Sequence, residues 1–156
     1  MSTRVLSVVM HQDSAWVHAS CVAVADQGIL VIGASGSGKS ALALRMLSLG
    51  AGLVADDRVI LEQDQDQVIA TAVPHLSGVI EARQIGLLRA EPYGPAPLAY
   101  VVDLDREQPA RLPDPVSIEV LGQCLPLFHG ANVPSLPEAL IQIATMGCLD
   151  PQWPSN

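Results

Sequence analysis

The sequence predicts an α/β domain built mainly of β-strands, with one helix in its N-terminal third and another near its C-terminal end. Short β-prone apolar runs recur along the 156-residue chain, and one of them leads through a glycine-rich segment into a mostly apolar helical stretch. A chain of this length buries a core without metals or disulfides. We therefore expect a single domain over residues 1–149 and a disordered tail over residues 150–156.

The strongest local pattern surrounds the glycine-rich segment. Residues 21–25 and 29–32 are predicted as strands joined by a tight turn over residues 26–28. A helix is predicted over residues 39–49 and ends at Gly50, which suits a C-cap. The glycine-rich segment is therefore predicted to form a loop between a strand and a helix.

The remaining elements are predicted by apolar runs and turn residues. Residues 91–97 are rich in proline and glycine and predict an exposed turn. Residues 78–88 fit a strand or a loop. A helix is predicted over residues 137–146 with Ser135 as its N-cap. Further strands are predicted over residues 53–55, 59–61, 68–73, 99–104, 116–121 and 124–127.

Composition limits the classes of partner. The formal net charge is −8, and the cations form no cluster, so we expect no nucleic-acid binding. No apolar run approaches the roughly 20 residues that span a bilayer, so no membrane partner is expected. The three cysteines are far apart and show no zinc or disulfide spacing, which favours a reducing cytoplasm.

Residues 33–40, GASGSGKS, satisfy the pattern G-x-x-x-x-G-K-[ST] between a predicted strand and a predicted helix. This context predicts a P-loop NTPase-like core in which backbone N–H groups cradle phosphates. Lys39, the only lysine, would reach the β- and γ-phosphates of ATP, and the Ser40 hydroxyl would ligate Mg²⁺. A plain glycine- and serine-rich turn is the alternative. The predicted nucleotide-binding residues are Gly33, Ala34, Ser35, Gly36, Ser37, Gly38, Lys39 and Ser40.

Two carboxylates follow the predicted strand over residues 53–55. Because adjacent residues of an extended chain point to opposite sides, we expect one of Asp56 and Asp57 to ligate or orient and the other to act as a base. A polar strand end that caps the next turn explains the pair equally well. Asp103, after another apolar run, competes as a Walker B aspartate.

Two further ionisable residues have open interpretations. Glu81 lies between apolar neighbours, where it could ligate a metal or form a buried ion pair with Arg83. His18 shows no metal-ligand spacing, and a structural histidine is the simpler interpretation from the residues alone.

Taken in order, these motifs resemble the catalytic domain of HPr kinase/phosphorylase, a family that phosphorylates a serine of the phosphocarrier protein HPr and removes that phosphate. The resemblance covers about residues 18–88, with weaker similarity to about residue 127. Its most specific element is LVADD at its distance from the P-loop, which a generic P-loop ATPase would not predict. The matching segments are HAS (18–20), GASGSGKS (33–40), LVADD (53–57) and GVIEARQIG (78–86).

The resemblance implies roles for individual residues. Asp57 would accept the proton of the substrate serine in the kinase direction and donate it in the phosphorylase direction, with assistance from His18. Glu81 would join Ser40 in holding Mg²⁺, and Arg111 would contact phosphate. The resemblance also implies ATP as the donor, an HPr-type phosphocarrier as the partner, a cytoplasmic location and a homo-oligomer, which in this family is a hexamer.

Some features depart from the family pattern. Gln84 stands where the family has a glycine. Residues 129–132, HGAN, contain no arginine, although the family has an arginine-bearing loop there that is associated with dephosphorylation. Phosphorylase activity therefore stays open. The chain begins just before the catalytic core, as in the short proteobacterial form of the family.

The predicted function is an ATP- and Mg²⁺-dependent serine kinase in phosphotransferase-system regulation. A P-loop kinase of small molecules is an alternative that LVADD disfavours. A nucleotide sensor that has lost phosphoryl transfer is the alternative from another class.

Overall fold

A computed structural model describes residues 3–5, 9–11 and 14–149. These residues form thirteen strands, two α-helices and a 3-10 helix at Pro74–Leu76. The helices are α1 (Lys39–Ser48) and α2 (Leu136–Met146). The strands are β1 (Thr3–Val5), β2 (Val9–His11), β3 (Ser14–Val17), β4 (Ser20–Val24), β5 (Gln27–Ile32), β6 (Gly52–Ala55), β7 (Val59–Asp64), β8 (Gln67–Ala72), β9 (Val79–Ala82), β10 (Gly86–Arg89), β11 (Ala96–Asp103), β12 (Val116–Val120) and β13 (Gln123–His129).

Strand β11 connects two parts of the main sheet, which contains eleven of the described strands. Its C-terminal half lies between β5 and β13 and is parallel to both. Its first residues, Ala96 and Pro97, instead pair with β8 in antiparallel fashion. One part continues through β4 and β6, and the other through β7, β3 and β2. Strands β9 and β10 form a separate hairpin.

Alternation along the central strands divides the core into two clusters, because successive side chains of a strand point to opposite faces. Cys21 and Leu30 face a cluster built from strand residues. Val22 and Val31 face a second cluster beneath the helices, where Met46 of α1 and Leu140 of α2 are buried. Helix α1 is therefore fixed on the sheet directly after the glycine-rich segment.

Both predicted helices are present. Helix α1 ends as expected, since Gly50 adopts a positive φ of 103° and donates its N–H to Leu47 at 3.1 Å. Ser135 is the N-cap residue of α2, as predicted, but it has a left-handed φ of 57° and its side chain makes no capping hydrogen bond. Neither described helix is long and apolar enough to cross a membrane.

All the predicted strands are present, with ends that differ from the prediction by up to three residues. The first tight turn lies at Ala25 and Asp26, which both have positive φ, so residues 27 and 28 belong to β5. The segment predicted as an exposed turn over residues 91–97 ends inside β11, where Ala96 is fully buried. Residues 78–88, left open between strand and loop, form the β9–β10 hairpin.

The residues before His18 add a strand and buried side chains to the core, which the sequence did not predict. The sequence predicts no strand before residue 21, but β3 precedes His18 and buries Ala15 and Val17. The tail predicted over residues 150–156 lies outside the described residues.

Candidate active site

The glycine-rich segment connects the end of β5 to the start of α1, the position that a phosphate-binding loop requires. Gly36 and Gly38 adopt φ values of 83° and 101°, which glycine reaches without strain. Helix α1 has no side-chain cap at its N-terminus. Its first backbone N–H groups and its positive dipole end are therefore directed toward the loop.

Lys39 folds back over this loop. Its Nζ donates to the carbonyl oxygens of Gly33 at 2.8 Å and Ala34 at 3.0 Å. The Ser37 hydroxyl is buried and has no hydrogen-bond partner among the described residues. Because a buried hydroxyl is costly to leave unpaired, this group fits a loop that binds an oxygen-rich ligand.

Asp56 lies at the centre of a hydrogen-bond cluster and is only 6% exposed. The Ser20 hydroxyl donates to Oδ1 at 2.6 Å, and the Ser40 hydroxyl lies 2.8 Å from Oδ1 and 3.0 Å from Oδ2. The backbone N–H of Glu81 donates to Oδ2 at 3.0 Å. Residues from β4, α1 and β9 thus converge on one carboxylate, which directly follows β6.

These contacts distinguish the candidate Walker B aspartates. Asp56 is the aspartate that contacts Ser40. Asp103 is also buried, at the end of β11, but it accepts the N–H of Asp105 at 2.9 Å and lies 3.7 Å from Arg106 Nε. The geometry at Ser40 therefore favours Asp56 over Asp103.

Asp57 is exposed, in contrast to the buried Asp56. The expectation that one of the two carboxylates ligates or orients and the other acts as a base stays a prediction. Asp57 has a left-handed φ of 67°, and its carbonyl accepts the N–H of Ala19 at 3.3 Å. An exposed carboxylate next to the Asp56 cluster is accessible to a hydroxyl group of another molecule.

His18 lies beside the backbone of Asp57 rather than its carboxylate. Its Nδ1 is 3.4 Å from the Asp57 carbonyl oxygen. The exposed imidazole also packs edge-on against Trp16 at 5.0 Å, and the Arg58 guanidinium lies 4.6 Å from the same indole. These ring contacts restrict the orientation of His18 at the rim of the site.

Glu81 is exposed on β9, so the interpretation as a buried ion pair with Arg83 is wrong. Its backbone bond to Asp56 nevertheless places it next to the partner of Ser40. Arg111 is exposed in the connection between β11 and β12, and within the described residues it has no hydrogen bond or ion pair with a site residue.

The donor set suits a hard cation. Ser40, Asp56 and Glu81 offer only oxygen ligands, which Mg²⁺ prefers, and Mg²⁺ is usually held by one or two carboxylates together with substrate phosphates. The described part of the chain contains no group of three or more His, Cys, Asp or Glu residues that could hold a metal by itself. The residues therefore fit Mg²⁺ bound jointly with phosphate.

Sequence reasoning gave no site role to Ser20, which is 1% exposed and donates to Asp56. The available signal was a polar residue at the start of an otherwise apolar buried strand. A polar group in that place requires a hydrogen-bond partner.

Comparisons with known proteins show what the chain is similar to in sequence and in fold. Residues 10–98 match the family model described as HPr Serine kinase C-terminal domain. A structure of the Hpr(Ser) kinase/phosphatase from Coxiella burnetii superimposes with a TM-score of 0.71 and 21% identity, covering 82% of this chain and 92% of that chain. This likeness confirms the predicted fold class, an α/β core built mainly of β-strands.

Curated relatives named HPr kinase/phosphorylase are also similar. That of Aromatoleum aromaticum is 33% identical, with 81% of this chain and 46% of the relative covered. That of Bordetella pertussis is 45% identical over 73 residues, covering 46% of this chain and 24% of the relative. The chain thus spans less than half the length of the curated relatives it matches.

Proposed function

The chain belongs to the HPr serine kinase C-terminal domain family, and from this premise we propose that it is an ATP- and Mg²⁺-dependent serine kinase acting on an HPr-type phosphocarrier protein. One observation carries the proposal. Asp56 joins Ser40 of the phosphate loop to the strand end that presents Asp57. Phosphoryl transfer requires such a junction, because the donor and the acceptor hydroxyl must meet at a fixed distance.

In this proposal, residues 33–40 bind the phosphates of ATP. The backbone of the loop and the N-terminus of α1 supply N–H donors, and Lys39 supplies the positive charge. The carbonyl contacts of Lys39 place its ammonium group over the loop. The unpaired Ser37 hydroxyl is an additional donor for a phosphate oxygen.

Asp57 serves as the base toward the serine hydroxyl of the partner. Its exposure makes the carboxylate accessible to a protein substrate, and an ionised carboxylate within hydrogen-bond reach suffices for this role. His18 assists by its contact with the Asp57 carbonyl, which restricts the backbone that carries the base.

Ser40 and Glu81 would hold Mg²⁺, while Asp56 orients the Ser40 hydroxyl. Bound Mg²⁺ would supply charge neutralisation at the phosphate oxygens. The phosphate-contacting role of Arg111 is proposed on the sequence resemblance. A cytoplasmic location and a homo-oligomer, a hexamer in this family, belong to the same proposal.

The test is transfer of label from γ-labelled ATP to a serine of HPr in the presence of Mg²⁺. Wild type should label the partner. Lys39→Ala should lose nucleotide affinity, and Asp57→Asn should bind ATP yet transfer little. Asp66→Asn, in the exposed β7–β8 turn, is a control of equal charge change. ATP binding by wild type without any label on HPr would contradict the kinase proposal and favour a nucleotide sensor or another acceptor.

A further inference from the structure

Ala34, the second residue of the phosphate loop, is held on both sides of its backbone. Its N–H donates to Oδ2 of Asp105 at 2.8 Å. Its carbonyl accepts from Lys39 Nζ at 3.0 Å and from the N–H of Ser37, also at 3.0 Å. Asp105 lies 71 residues further along the chain. A distant side chain therefore participates in fixing the loop that carries the nucleotide-binding pattern.

Asp105 is itself anchored to the sheet. Its N–H donates to Oδ1 of Asp103 at 2.9 Å, and Asp103 is only 4% exposed at the end of β11. The intervening Leu104 donates its N–H to the carbonyl of Ile32 at 2.9 Å. Ile32 is the last residue of β5, immediately before the loop. The segment after β11 thus holds both the entry to the loop and its first turn.

We infer that Asp105 is a positioning residue of the phosphate loop, an inference that rests on the proposed function. Its carboxylate fixes the peptide between Gly33 and Ala34 and thereby the Gly33 carbonyl oxygen, to which Lys39 donates at 2.8 Å. The inference assigns Asp105 no contact with the substrate. A loop whose amides are already oriented binds phosphate with less loss of conformational freedom.

The carboxylate also has an opposing effect, because a negative charge beside an anion-binding loop repels phosphate. Two variants separate the effects. Asp105→Asn removes the charge but keeps an oxygen that can accept the Ala34 N–H, whereas Asp105→Ala removes both. Asp105 is exposed, so neither variant opens a cavity in the core. Asp114→Ala, an exposed acid in the same connection, is a matched control for the loss of charge.

The first measurement is hydrogen exchange of the Ala34 amide by NMR in ATP-free protein. Loss of a charge-assisted hydrogen bond in Asp105→Ala should accelerate this exchange roughly tenfold. Asp105→Asn should exchange more slowly than Asp105→Ala, and Asp114→Ala should match wild type. Wild-type exchange in Asp105→Ala would overturn the inference.

The second measurement compares the ATP dissociation constant, KM and kcat of the same variants. Asp105→Ala should bind ATP about five- to tenfold more weakly than Asp105→Asn, while kcat changes by less than about twofold. Equal ATP affinity of the two variants would overturn the inference. If the wild-type chain binds no ATP, the proposed function is contradicted. The tighter ATP binding attributed to Asp105 is then contradicted as well. The amide exchange would then still decide whether Asp105 fixes Ala34.

Discussion

The Ser40 hydroxyl lies 2.8 and 3.0 Å from the two carboxylate oxygens of Asp56. Ser40 belongs to the first turn of α1, and Asp56 follows β6 directly. The helix after the phosphate loop and the strand that leads to Asp57 are therefore connected through one side-chain pair. Changes at Asp56 should affect both the stability of the fold and the geometry of the loop.

Asp56→Ala should lower the free energy of unfolding by about 2–4 kcal/mol, because Ser20 and the Glu81 N–H lose their buried acceptor. Asp56→Asn keeps one acceptor oxygen and should lose roughly half as much. Urea denaturation of both variants measures the difference. Equal losses for the two substitutions would show that the hydrogen bonds contribute little.

Asp57→Asn should lower kcat by about 10²- to 10⁴-fold with little change in the ATP dissociation constant, because only the proposed base is altered. Asparagine is preferable to alanine here, since it tolerates the left-handed φ of 67°. Steady-state kinetics and calorimetric titration with ATP measure the two quantities. Unchanged kcat would exclude Asp57 as the base.

Gln84→Gly should raise the free energy of unfolding by about 0.5–1 kcal/mol. Gln84 has a left-handed φ of 68°, a conformation that costs an ordinary residue about 1–2 kcal/mol. Glycine avoids this cost, but part of the gain is lost because glycine gives the unfolded chain more conformational entropy. Ile85→Gly, at the next position, is the control and should not stabilise the protein, because Ile85 lacks a positive φ. Thermal or urea unfolding measures the change in the free energy of unfolding. Equal changes in the two variants would contradict the prediction.

Cys21 should resist alkylation in the folded protein, whereas the exposed Cys124 and Cys148 should react. Burial raises the pKa of the Cys21 thiol to about 12, so almost no thiolate forms near neutral pH. Mass spectrometry after timed iodoacetamide treatment should show two modified cysteines in native protein and three in urea. Rapid modification of Cys21 without urea would contradict the described packing.

The same raised pKa has a consequence at alkaline pH. The unfolded thiol ionises near its ordinary value of 9.0, while the folded one keeps its proton to about 12. The free energy of unfolding therefore keeps its full contribution from the neutral thiol below pH 9. This contribution should decline as the pH rises toward 12. Cys21→Ala should show a shallower decline, measured by urea midpoints at increasing pH. Identical slopes for the two proteins would contradict this assignment.

Short sequence patterns predicted those parts of the site that lie within one continuous segment of the chain. The phosphate loop and α1 follow from glycine spacing and apolar periodicity, because backbone conformation and one helix face decide them. Strand alternation does not explain the separation of Asp56 from Asp57, because Asp57 has a left-handed φ of 67°, and it could not tell which carboxylate is buried. That choice depends on how β6 packs, which is decided by its pairing with β4.

Contacts between distant segments were not predictable in this way. Ser20 and Asp56 are 36 residues apart, and neither position alone identifies the other as its partner. Ser135 has a residue type that favours an N-cap, yet its left-handed backbone leaves the side chain without a capping bond. Ala96 follows a proline- and glycine-rich run but is recruited into β11 by its pairing with Ala70 of β8.

The position of β11 also constrains how the chain reaches its native state. Four of its five residue pairs with β5 involve residues 100–103, far along the chain from their partners. Closing such long loops slows folding. Strand β5, which leads into the phosphate loop, pairs with β4 on one edge but lacks a neighbour on its other edge until this closure occurs. A fragment limited to residues 10–98, the span of the family match, would retain only the Leu98–Gly28 pair. Such a fragment should fold poorly, although it contains the complete nucleotide-binding pattern.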